Sequence, residues 1–504
     1  MILCQSDASL YSQLTKLVAI LGLIGLLGAC TPAASTTNAA AQPSIALEPC
    51  QLSAPDLPLR IAAECGTVRV YENRATQTGR QIELHFAVVR ATRRNVAPNP
   101  LFFLTGGPGQ AATESYVQVS SAFRGINQER DIVLVDQRGT GKSHPLRCPE
   151  PAESDTWFDA ADPRFDTYLQ QCLAQLDADP TQYTTAIAMD DLDQVRAVLG
   201  YESINLYGVS YGTRAALSYA RQYPHRVRAM ILDGLAPPDL VLGPYVARDA
   251  QRAFDLILER CAADEACKRA FPNIRANWEA LLTTLEQEPV RVTLDHPVTG
   301  AQTELTLTRD AVATTVRLLS YAPETAALLP LLIDHAHRTG DYQRLAAHLL
   351  MVSEQLGSSL NSGMGNSVLC AEDAPFIQPE GATQDTYLGN LQIEQLRETC
   401  AVWPRGQVPP DFKQPVRSDV PTLLLSGEAD PVTPPEYAEQ AAQTLPNSVH
   451  IIAPGQGHSV VFRGCIPQLV AQFIESGSVQ DLDMACVQNI KPTPFFLSFT
   501  GPQS

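Results

Sequence analysis

Short, wholly apolar segments alternate with amphipathic ones along this chain of 504 residues, and that alternation constrains the fold more than any other feature. Runs such as LFFLT (101–105), DIVLVD (131–136), INLYGVS (204–210) and AMILDG (229–234) are typical of strands buried on both faces of a mainly parallel sheet. The segment 186–200 places its apolar residues on one face and ends at Gly200, which predicts a helix. The sequence therefore predicts an α/β fold.

The alternation is interrupted after residue 240 and returns with TLLLSGEAD (422–430) and SVHIIAPG (448–455). The segments between have helical patterns, so we expect one α/β domain split by an inserted, mainly helical cap. The predicted parts are 49–239 for the first part of the core, 240–415 for the cap and 416–504 for the second part. GTVRVYE and RQIELHFAVVRA predict an antiparallel pair that opens the core.

The N-terminal segment predicts export. Residues 17–29 are apolar, follow Lys16 and are too short to cross a bilayer comfortably, which is typical of a signal peptide over 1–29. LGAC at 27–30 resembles the bacterial lipobox, in which the Cys30 thiol carries the lipid; a plain signal peptide is the alternative. Residues 30–48 predict a flexible tether. By resemblance to Gram-negative sorting, Thr31 after the lipid site implies the outer membrane, facing the periplasm.

Twelve cysteines are present, and setting aside Cys4 and Cys30 leaves an even number in an exported chain, so disulfides are expected. The sequence does not prove the connectivity. A zinc site is the alternative, but no CxxC pair or paired histidine spacing supports it, and we expect no metal and no cofactor. Neighbours in sequence are the simplest disulfide partners: Cys50 with Cys65, Cys148 with Cys172, Cys261 with Cys267, Cys370 with Cys400, and Cys465 with Cys486.

Nucleic acids and nucleotides are not expected partners. The net charge of -18 argues against nucleic acid, which needs clustered Lys and Arg. DQRGTGKS (136–143) contains the GKS of a phosphate-binding loop, but Asp136 stands where that loop needs glycine. His144 and Pro145 also oppose the helix that must follow. We expect Arg138 in this segment to be a buried cation paired with a carboxylate.

GVSYG (208–212) is a G-x-S-x-G motif placed after a predicted strand and before a predicted helix. This context is what a nucleophile elbow needs, with Ser210 exposed at the tip of a sharp turn between two small residues. The following helix points its N-terminus at the reacting centre and favours developing negative charge. An ordinary tight turn is the alternative.

An acid and a histidine follow in the order that α/β-hydrolases use, each after a predicted strand. Asp430 ends TLLLSGEAD, and His458 lies in APGQGHS. His458 is the candidate general base for Ser210, and Asp430 is the candidate that orients its imidazole. Glu428 and Asp233 are the rival acids.

The oxyanion of acyl transfer needs two oriented N–H donors. The amide of Tyr211, directly after the serine, is the first candidate. The second comes from LFFLTGGPGQ, where Pro108 has no N–H, so Gly107 is preferred and Gly106 is second. A simple turn is the alternative for this loop.

Together, GGPG, DQRGTGKS, GVSYG, GEADPVTP and GQGH resemble the S33 peptidases, over roughly residues 60–490. The resemblance is strongest to the secreted tripeptidyl-aminopeptidase-like branch and extends to the proline iminopeptidases. It implies an α/β-hydrolase fold and serine hydrolysis of short peptides from a free N-terminus, with Ser210, Asp430 and His458 as the triad. Thr105 stands where proline iminopeptidases often carry His before GGPG, which weakens a strict proline specificity.

The resemblance also implies that carboxylates of the cap bind the substrate ammonium. The matching stretch is SVLCAEDAP, with Glu372 and Asp373 beside Cys370. A solvated loop is the alternative for these acids. For the whole chain, an esterase with the same triad and a non-catalytic binding lipoprotein on a hydrolase scaffold are the alternatives. The expected partners are short peptides, and the membrane only through the N-terminal lipid.

Overall fold

The structure is a computed structural model in which residues 45–55, 57–149, 163–378, 385–480 and 482–502 are described. The predicted signal peptide, the lipidation candidate Cys30 and most of the predicted tether lie outside the described residues. No helix in these ranges is long and apolar enough to cross a membrane.

One large sheet organises the described chain, with nine strands in the order β1-β2-β3-β5-β4-β6-β7-β10-β11. β1, β2 and β3 are antiparallel, β3 meets β5 antiparallel, and all pairs from β5 to β11 are parallel. The predicted α/β fold with a mainly parallel sheet is confirmed. The strands are β1 Glu48–Leu52, β2 Ile61–Tyr71, β3 Gln81–Val89, β4 Leu101–Leu104, β5 Ile132–Val135, β6 Ile204–Val209, β7 Val227–Asp233, β8 Val290–Asp295, β9 Gln302–Leu307, β10 Thr422–Gly427 and β11 Ser448–Ala453.

Helices cover both faces of this sheet and fill the interruption between β7 and β10. Short 3₁₀ helices occur at Ser120–Phe123, Pro180–Gln182, Pro224–Arg226, Ala374–Phe376 and Ala485–Asn489. The α-helices are α1 Ala112–Val119, α2 Arg124–Asn127, α3 Pro163–Gln175, α4 Thr185–Val198, α5 Tyr211–Gln222, α6 Val246–Ala263, α7 Glu265–Ala270, α8 Ile274–Gln287, α9 Arg309–Leu319, α10 Pro323–Ala326, α11 Leu329–Thr339, α12 Gln343–Ser359, α13 Ser362–Glu372, α14 Leu391–Val402, α15 Pro435–Ala442 and α16 Ile466–Ser476.

The continuous apolar runs are strands because both of their faces are covered. Along β4, Phe102 packs into the core on one side of the sheet and Phe103 into the core on the other. Val133 and Leu134 of β5 likewise pack into the cores on opposite sides of the sheet. Successive side chains of a strand point to opposite faces, so a strand between two helical layers needs apolar residues at every position.

The inserted region has an apolar core of its own, in which Phe254, Trp278 and Tyr387 pack ring against ring. Its mainly helical character was predicted, but the antiparallel hairpin β8–β9 was not. Phe495, near the C-terminus of the described chain, belongs to the same core. The C-terminal segment of the described chain is thus packed against the inserted region, although the two are far apart in sequence.

Five disulfides join the pairs expected from neighbouring cysteines: Cys50–Cys65, Cys148–Cys172, Cys261–Cys267, Cys370–Cys400 and Cys465–Cys486. The first joins β1, a strand that the sequence did not predict, to β2. Disulfides persist in oxidising compartments, so this set is typical of an exported protein.

Candidate active site

The sharpest turn of the site lies between β6 and α5. β6 ends at Val209, and α5 begins at Tyr211. Ser210 between them has φ 56° and ψ -126°, a backbone conformation that a residue with a side chain adopts only at a cost of about 1–3 kcal/mol. This is the strained strand-to-helix turn that the G-x-S-x-G spacing predicted.

The two glycines of the motif are required by close approaches of backbone. A side-chain Cβ at Gly208 would lie 2.4 Å from the carbonyl oxygen of Gly212. At Gly212 it would lie 2.2 Å from the carbonyl oxygen of Leu104, at the end of β4. Both distances are far inside van der Waals contact, so the packing of α5 against β4 and β6 excludes other residues here.

Ser210 has a hydroxyl that is available to a substrate. The residue is partly exposed, and its Oγ makes no hydrogen bond to any residue in the described ranges. Gly106 is its close neighbour, because a Cβ built there would lie 3.1 Å from the Cβ of Ser210 and 3.6 Å from its Oγ. The serine therefore sits at the tip of the elbow, directly against the GGPG loop.

His458 and Asp430 form a close pair at the carboxyl ends of β11 and β10. The Nδ1 atom of His458 lies 2.8 Å from Oδ2 of Asp430. Asp430 is fully buried, and its Oδ1 accepts the main-chain N–H groups of Val432 and Thr433. These bonds fix the carboxylate, so it can hold the imidazole in one tautomer and one orientation.

The charges of this pair support each other. Burial alone would raise the pKa of Asp430, but the charge and hydrogen bond of His458 and the two amides lower it. Burial alone would lower the pKa of His458, but Asp430 raises it through its charge and its hydrogen bond. An ionised acid beside a histidine of raised pKa is the arrangement that accepts a proton from a serine.

Neither rival acid touches the imidazole. Glu428 is exposed, and its Oε2 accepts the N–H of Gly455. Asp233 is fully buried at the end of β7, and its carboxylate accepts bonds from the Tyr207 hydroxyl, the Ser459 hydroxyl and the amides of residues 460 and 461. Asp233 therefore anchors the loop that follows the histidine, and Asp430 is the acid that bonds it.

The end of β7 connects the serine to the histidine. The carbonyl oxygen of Asp233 accepts the N–H of Ser210 at 2.9 Å. The next residue, Gly234, has φ 66°, and a Cβ there would lie 3.0 Å from Cε1 of His458. One dipeptide thus contacts both residues, and the structure brings Ser210, Asp430 and His458 to one edge of the sheet.

Thr433 is a site residue that the sequence reading missed. Its Oγ1 donates to Oδ2 of Asp430 at 2.9 Å and lies 3.2 Å from Nδ1 of His458. A hydroxyl three residues after the acid, in the same turn, is the signal that could have indicated it. Thr433 gives the carboxylate a further fixed donor on the side that faces the imidazole.

The predicted oxyanion donors lie on both sides of Ser210. The N–H of Tyr211 is the first of α5 and has no partner within the helix. No hydrogen bond is recorded for the amides of Gly106 or Gly107 within the described part of the chain. Gly106 lies directly against Ser210, and the preference for Gly107 over Gly106 stays a prediction.

DQRGTGKS bonds to the start of α1, the helix that follows the GGPG loop. Oδ1 of Asp136 accepts both the N–H and the hydroxyl of Thr113, at the start of α1. Arg138 is fully buried and donates two hydrogen bonds to the carboxylate of Asp191, which confirms its prediction as a paired cation. No helix follows Ser143 in residues 144–149, so the local geometry differs from a phosphate-binding loop.

Glu372 and Asp373, predicted to bind the substrate amine, are fully buried behind the elbow. Asp373 accepts two hydrogen bonds from Arg214 of α5 and one from Lys413. Glu372 accepts the N–H and the hydroxyl of Thr185. Their oxygens are engaged with the protein, so the geometry gives them a structural role, and amine binding stays a prediction without support from these contacts.

Hydrogen bonds through Thr185 connect the buried acid Glu372 to Tyr211, next to the candidate nucleophile. The Thr185 hydroxyl lies 2.8 Å from the Tyr211 hydroxyl and donates to Glu372. Burial raises the pKa of Glu372 to about 7, although Arg214 opposes that rise. Burial likewise lowers the pKa of Lys413 to about 8. This group, here called the elbow cluster (Arg214, Glu372, Asp373, Lys413), holds α5 against the inserted region.

The inserted region reaches the histidine through Tyr321, a second contact that the sequence reading missed. The N–H of His458 donates to the carbonyl oxygen of Tyr321 at 2.7 Å, and the two rings meet edge to face with centroids 5.3 Å apart. A Cβ at Gly457 would lie 2.2 Å from that carbonyl oxygen. The GQGH sequence therefore needs glycine before the histidine because the cap backbone packs on it.

Comparisons with known proteins agree with the α/β-hydrolase fold. Residues 99–289 match the family model described as alpha/beta hydrolase fold, and residues 385–486 match the one described as TAP-like protein. Serine protease Hip1 of Mycobacterium tuberculosis is 26% identical over 87% of this chain and 90% of its own.

Two further relatives carry the names of an aminopeptidase and an iminopeptidase. The tripeptidyl aminopeptidase of Streptomyces coelicolor is 24% identical over 92% of this chain and 89% of its own. The proline iminopeptidase of Neisseria gonorrhoeae is 30% identical, but over 27% of this chain and 32% of its own.

Proposed function

Because the chain is a serine peptidase of the S33-type α/β-hydrolases, we propose that it removes residues from the free N-terminus of short peptides. The observation that carries the proposal is the Asp430–His458 pair at the same edge of the sheet as Ser210, where Asp233 and Gly234 connect the serine to the histidine. The names of the relatives favour the amino end of the substrate, since two of them are an aminopeptidase and an iminopeptidase.

In the proposed reaction, His458 takes the proton of Ser210 as the hydroxyl attacks the scissile carbonyl. Asp430 keeps the imidazole oriented and stabilises its charged form. The raised pKa of His458 makes it a stronger base for this step. The histidine then gives the proton to the leaving amine, and water hydrolyses the acyl-enzyme by the same route.

The tetrahedral oxyanion is proposed to lie between the amide of Tyr211 and an amide of the GGPG loop. A donor that is fixed before the reaction stabilises the charge that develops on the oxygen, and loss of one such donor costs about 10²–10³ in kcat. Glu372 holds the Tyr211 side chain through Thr185 and thereby limits movement of the Tyr211 amide.

Exopeptidase action fits the way in which the inserted region covers the site. Tyr321 packs on the imidazole, and a Cβ at Gly107 would lie 3.3 Å from the side chain of Leu360, which precedes α13. A cleft that is covered by such contacts admits a chain end more readily than the middle of a folded protein. We propose that short peptides are therefore the substrates.

We also propose that the protein is exported and anchored by a lipid on Cys30 in the outer membrane, facing the periplasm. The five disulfides support export, and the lipobox-like sequence supports the anchor. Mass spectrometry of the mature N-terminus tests the anchor: diacylglycerol on Cys30 is expected, and cleavage at another residue would contradict it.

The proposed activity is tested with two matched tripeptide amides of a fluorophore, one with a free N-terminus and one acetylated. Release from the free form alone, abolished in Ser210→Ala, is the expected result. Equal release from both forms would contradict a requirement for the free amine. An aryl ester serves as a third substrate, because ester turnover without peptide turnover would favour an esterase.

A further inference from the structure

A cation without an anionic partner lies next to the candidate catalytic histidine. Arg317, in the last turn of α9, is largely buried and forms no ion pair within the described residues. Its Nη2 donates to the Tyr321 hydroxyl at 3.0 Å, and its Nε is buried with no hydrogen-bond partner. A guanidinium has five N–H donors, and within the described residues only one of them, on Nη2, is bonded to another side chain.

A second polar group without a partner belongs to the apolar core that also contains Val316 and Leu319 of α9, the neighbours of Arg317. The hydroxyl of Tyr387 is buried and has no hydrogen-bond partner in the described part of the chain. Burial raises the pKa of Tyr387, and the charge of Arg317 opposes that rise. Asp255, the acid that also acts on Tyr387, is itself paired with Arg275 at 2.6 Å.

Unpaired buried donors are rare because each costs roughly 1–3 kcal/mol. Two of them in one region, an arginine and a tyrosine hydroxyl, form a donor set that suits a carboxylate. Among the other arginines that adjoin the triad loops, Arg463 pairs with Glu324 and Arg248 pairs with Asp249. Arg317 differs in having no such acid.

The position of Arg317 relative to the imidazole indicates which part of a substrate it meets. Tyr321 contacts the His458 ring on one side, and its own ring centroid is 5.5 Å from the guanidinium carbon of Arg317. His458 must reach the nitrogen of the leaving amine, so the leaving segment passes against the imidazole. Arg317 is separated from that path by a single side chain.

We propose that Arg317 and the Tyr387 hydroxyl form a carboxylate-binding subsite for the leaving segment of the peptide, so that the enzyme prefers leaving segments that carry a free carboxylate close to the scissile bond. This inference rests on the proposed peptidase function. The carboxylate has two sources, the C-terminus of a short peptide or an acidic side chain. In either case the guanidinium supplies two parallel donors and the tyrosine a third.

The subsite is tested with three peptides that share a free N-terminus and the same sequence before the cleaved bond. One ends in a free carboxylate, one ends in a carboxamide, and one ends in a carboxamide but carries Asp in the leaving segment. Cleavage is followed by mass spectrometry, which also identifies the bond that is cut. The variants are Arg317→Gln, Arg317→Lys and Tyr387→Phe.

For the wild type we expect kcat/KM to favour a carboxylate-bearing peptide over the plain carboxamide by roughly tenfold or more. Preference for the acid-ended peptide identifies the C-terminus as the source, and preference for the Asp peptide identifies the side chain. Arg317→Gln removes the preference mainly through KM, and Arg317→Lys retains part of it, because lysine keeps the charge without the fork.

Arg338→Gln is the matched control. Arg338 is an exposed arginine of α11, paired with Asp334, and its replacement removes the same charge from the inserted region. It should leave the preference unchanged. A thermal melt of each variant establishes that the variant is folded. Tyr387→Phe removes only the hydroxyl oxygen and keeps the ring in its packing.

Equal kcat/KM for all three peptides in the wild type would overturn the subsite while leaving the peptidase function intact. A preference that persists unchanged in folded Arg317→Gln would overturn it as well. Absence of peptide cleavage, with Ser210-dependent turnover of an aryl ester, would instead overturn the proposed function and the subsite with it.

Discussion

Asp430 and Asp373 are both fully buried carboxylates that the sequence marked as functional, yet their partners differ in kind. Asp430 bonds the imidazole of His458, a group that gains and loses a proton near neutral pH. Asp373 bonds Arg214, whose charge is permanent, and Lys413. The Asp430–His458 pair can respond to the gain or loss of a proton by the imidazole. The bonds of Asp373 instead hold α5 and the inserted region in place.

The comparison shows that burial alone does not identify a catalytic acid. Desolvation acts on both groups in the same direction, and what differs is the chemistry of the bonded partner and its access to the nucleophile. The elbow cluster lies behind α5, where it supports the turn. The Asp430–His458 pair lies at the edge of the sheet, where a substrate reaches it.

The largest expected difference between the two acids is in the catalytic rate of their variants. Asp430→Asn is expected to lower kcat for a peptide amide by roughly 10⁴-fold with little change in fold, because the imidazole loses its correct tautomer and charge partner. The kcat of the purified variant is measured with the peptide amide, and a thermal melt establishes that the variant is folded. A loss below tenfold would contradict the role of Asp430.

Replacement of Asp373 should affect stability instead. Asp373→Ala leaves Arg214 buried without its principal partner, and we expect the free energy of unfolding to fall by about 3–5 kcal/mol while kcat per folded molecule is retained. Urea denaturation measures the change. Glu304→Gln is the control, since the exposed pair of Glu304 and Arg291 should contribute less than about 1 kcal/mol.

Asp373→Ala also decides the prediction of amine binding. If folded Asp373→Ala lost the preference for the free-amine peptide over the acetylated one, the sequence-based role of Asp373 would be right. Retention of the preference for the free amine would leave the acid with its structural role.

Glu372 should make stability depend on pH. Its pKa is raised to about 7 in the folded protein from about 4.3 in an unfolded chain, so the stability that its protonated form provides is lost as pH rises through that window. Glu372→Gln cannot ionise, and its stability relative to the wild type should rise by roughly 3 kcal/mol between pH about 4 and about 8. Parallel curves for the two proteins would contradict this.

The smallest expected effect concerns the acid limb of the pH profile. Asp430 raises the pKa of His458 above the ordinary histidine value of about 6.5. As the pH is lowered, kcat/KM should therefore fall with a midpoint above about pH 6.5, because the protonated imidazole cannot act as a base. The residual activity of Asp430→Asn should show a lower midpoint. A wild-type midpoint well below about 6 would indicate that the imidazole is not held by an ionised acid.

Much of the fold could be predicted because the continuous apolar runs of the parallel strands admit few other structures. The candidate triad followed from three short motifs in a fixed order. β1 and the hairpin β8–β9 were missed because their residues are largely exposed on one face and lack those runs.

What the sequence could not provide is contact between distant residues. Nothing near Glu372 in sequence indicates that the hydroxyl of Thr185, 187 positions away, donates a hydrogen bond to it. In the same way, the contact of Tyr321 with His458 depends on how the inserted region folds back over the sheet. The chemistry of a buried charge is set by such partners, so its role becomes visible only in the folded chain.

The central claim is that Ser210 is the nucleophile and that Asp430, not the elbow cluster, activates it through His458. The most direct measurement is the rate and position of labelling by a fluorophosphonate, followed by peptide mass mapping. We predict one phosphonyl group per chain on Ser210, formed much more slowly in Asp430→Asn and at the wild-type rate in folded Asp373→Asn. Labelling of a different residue, or equal rates in Asp430→Asn and the wild type, would contradict the account.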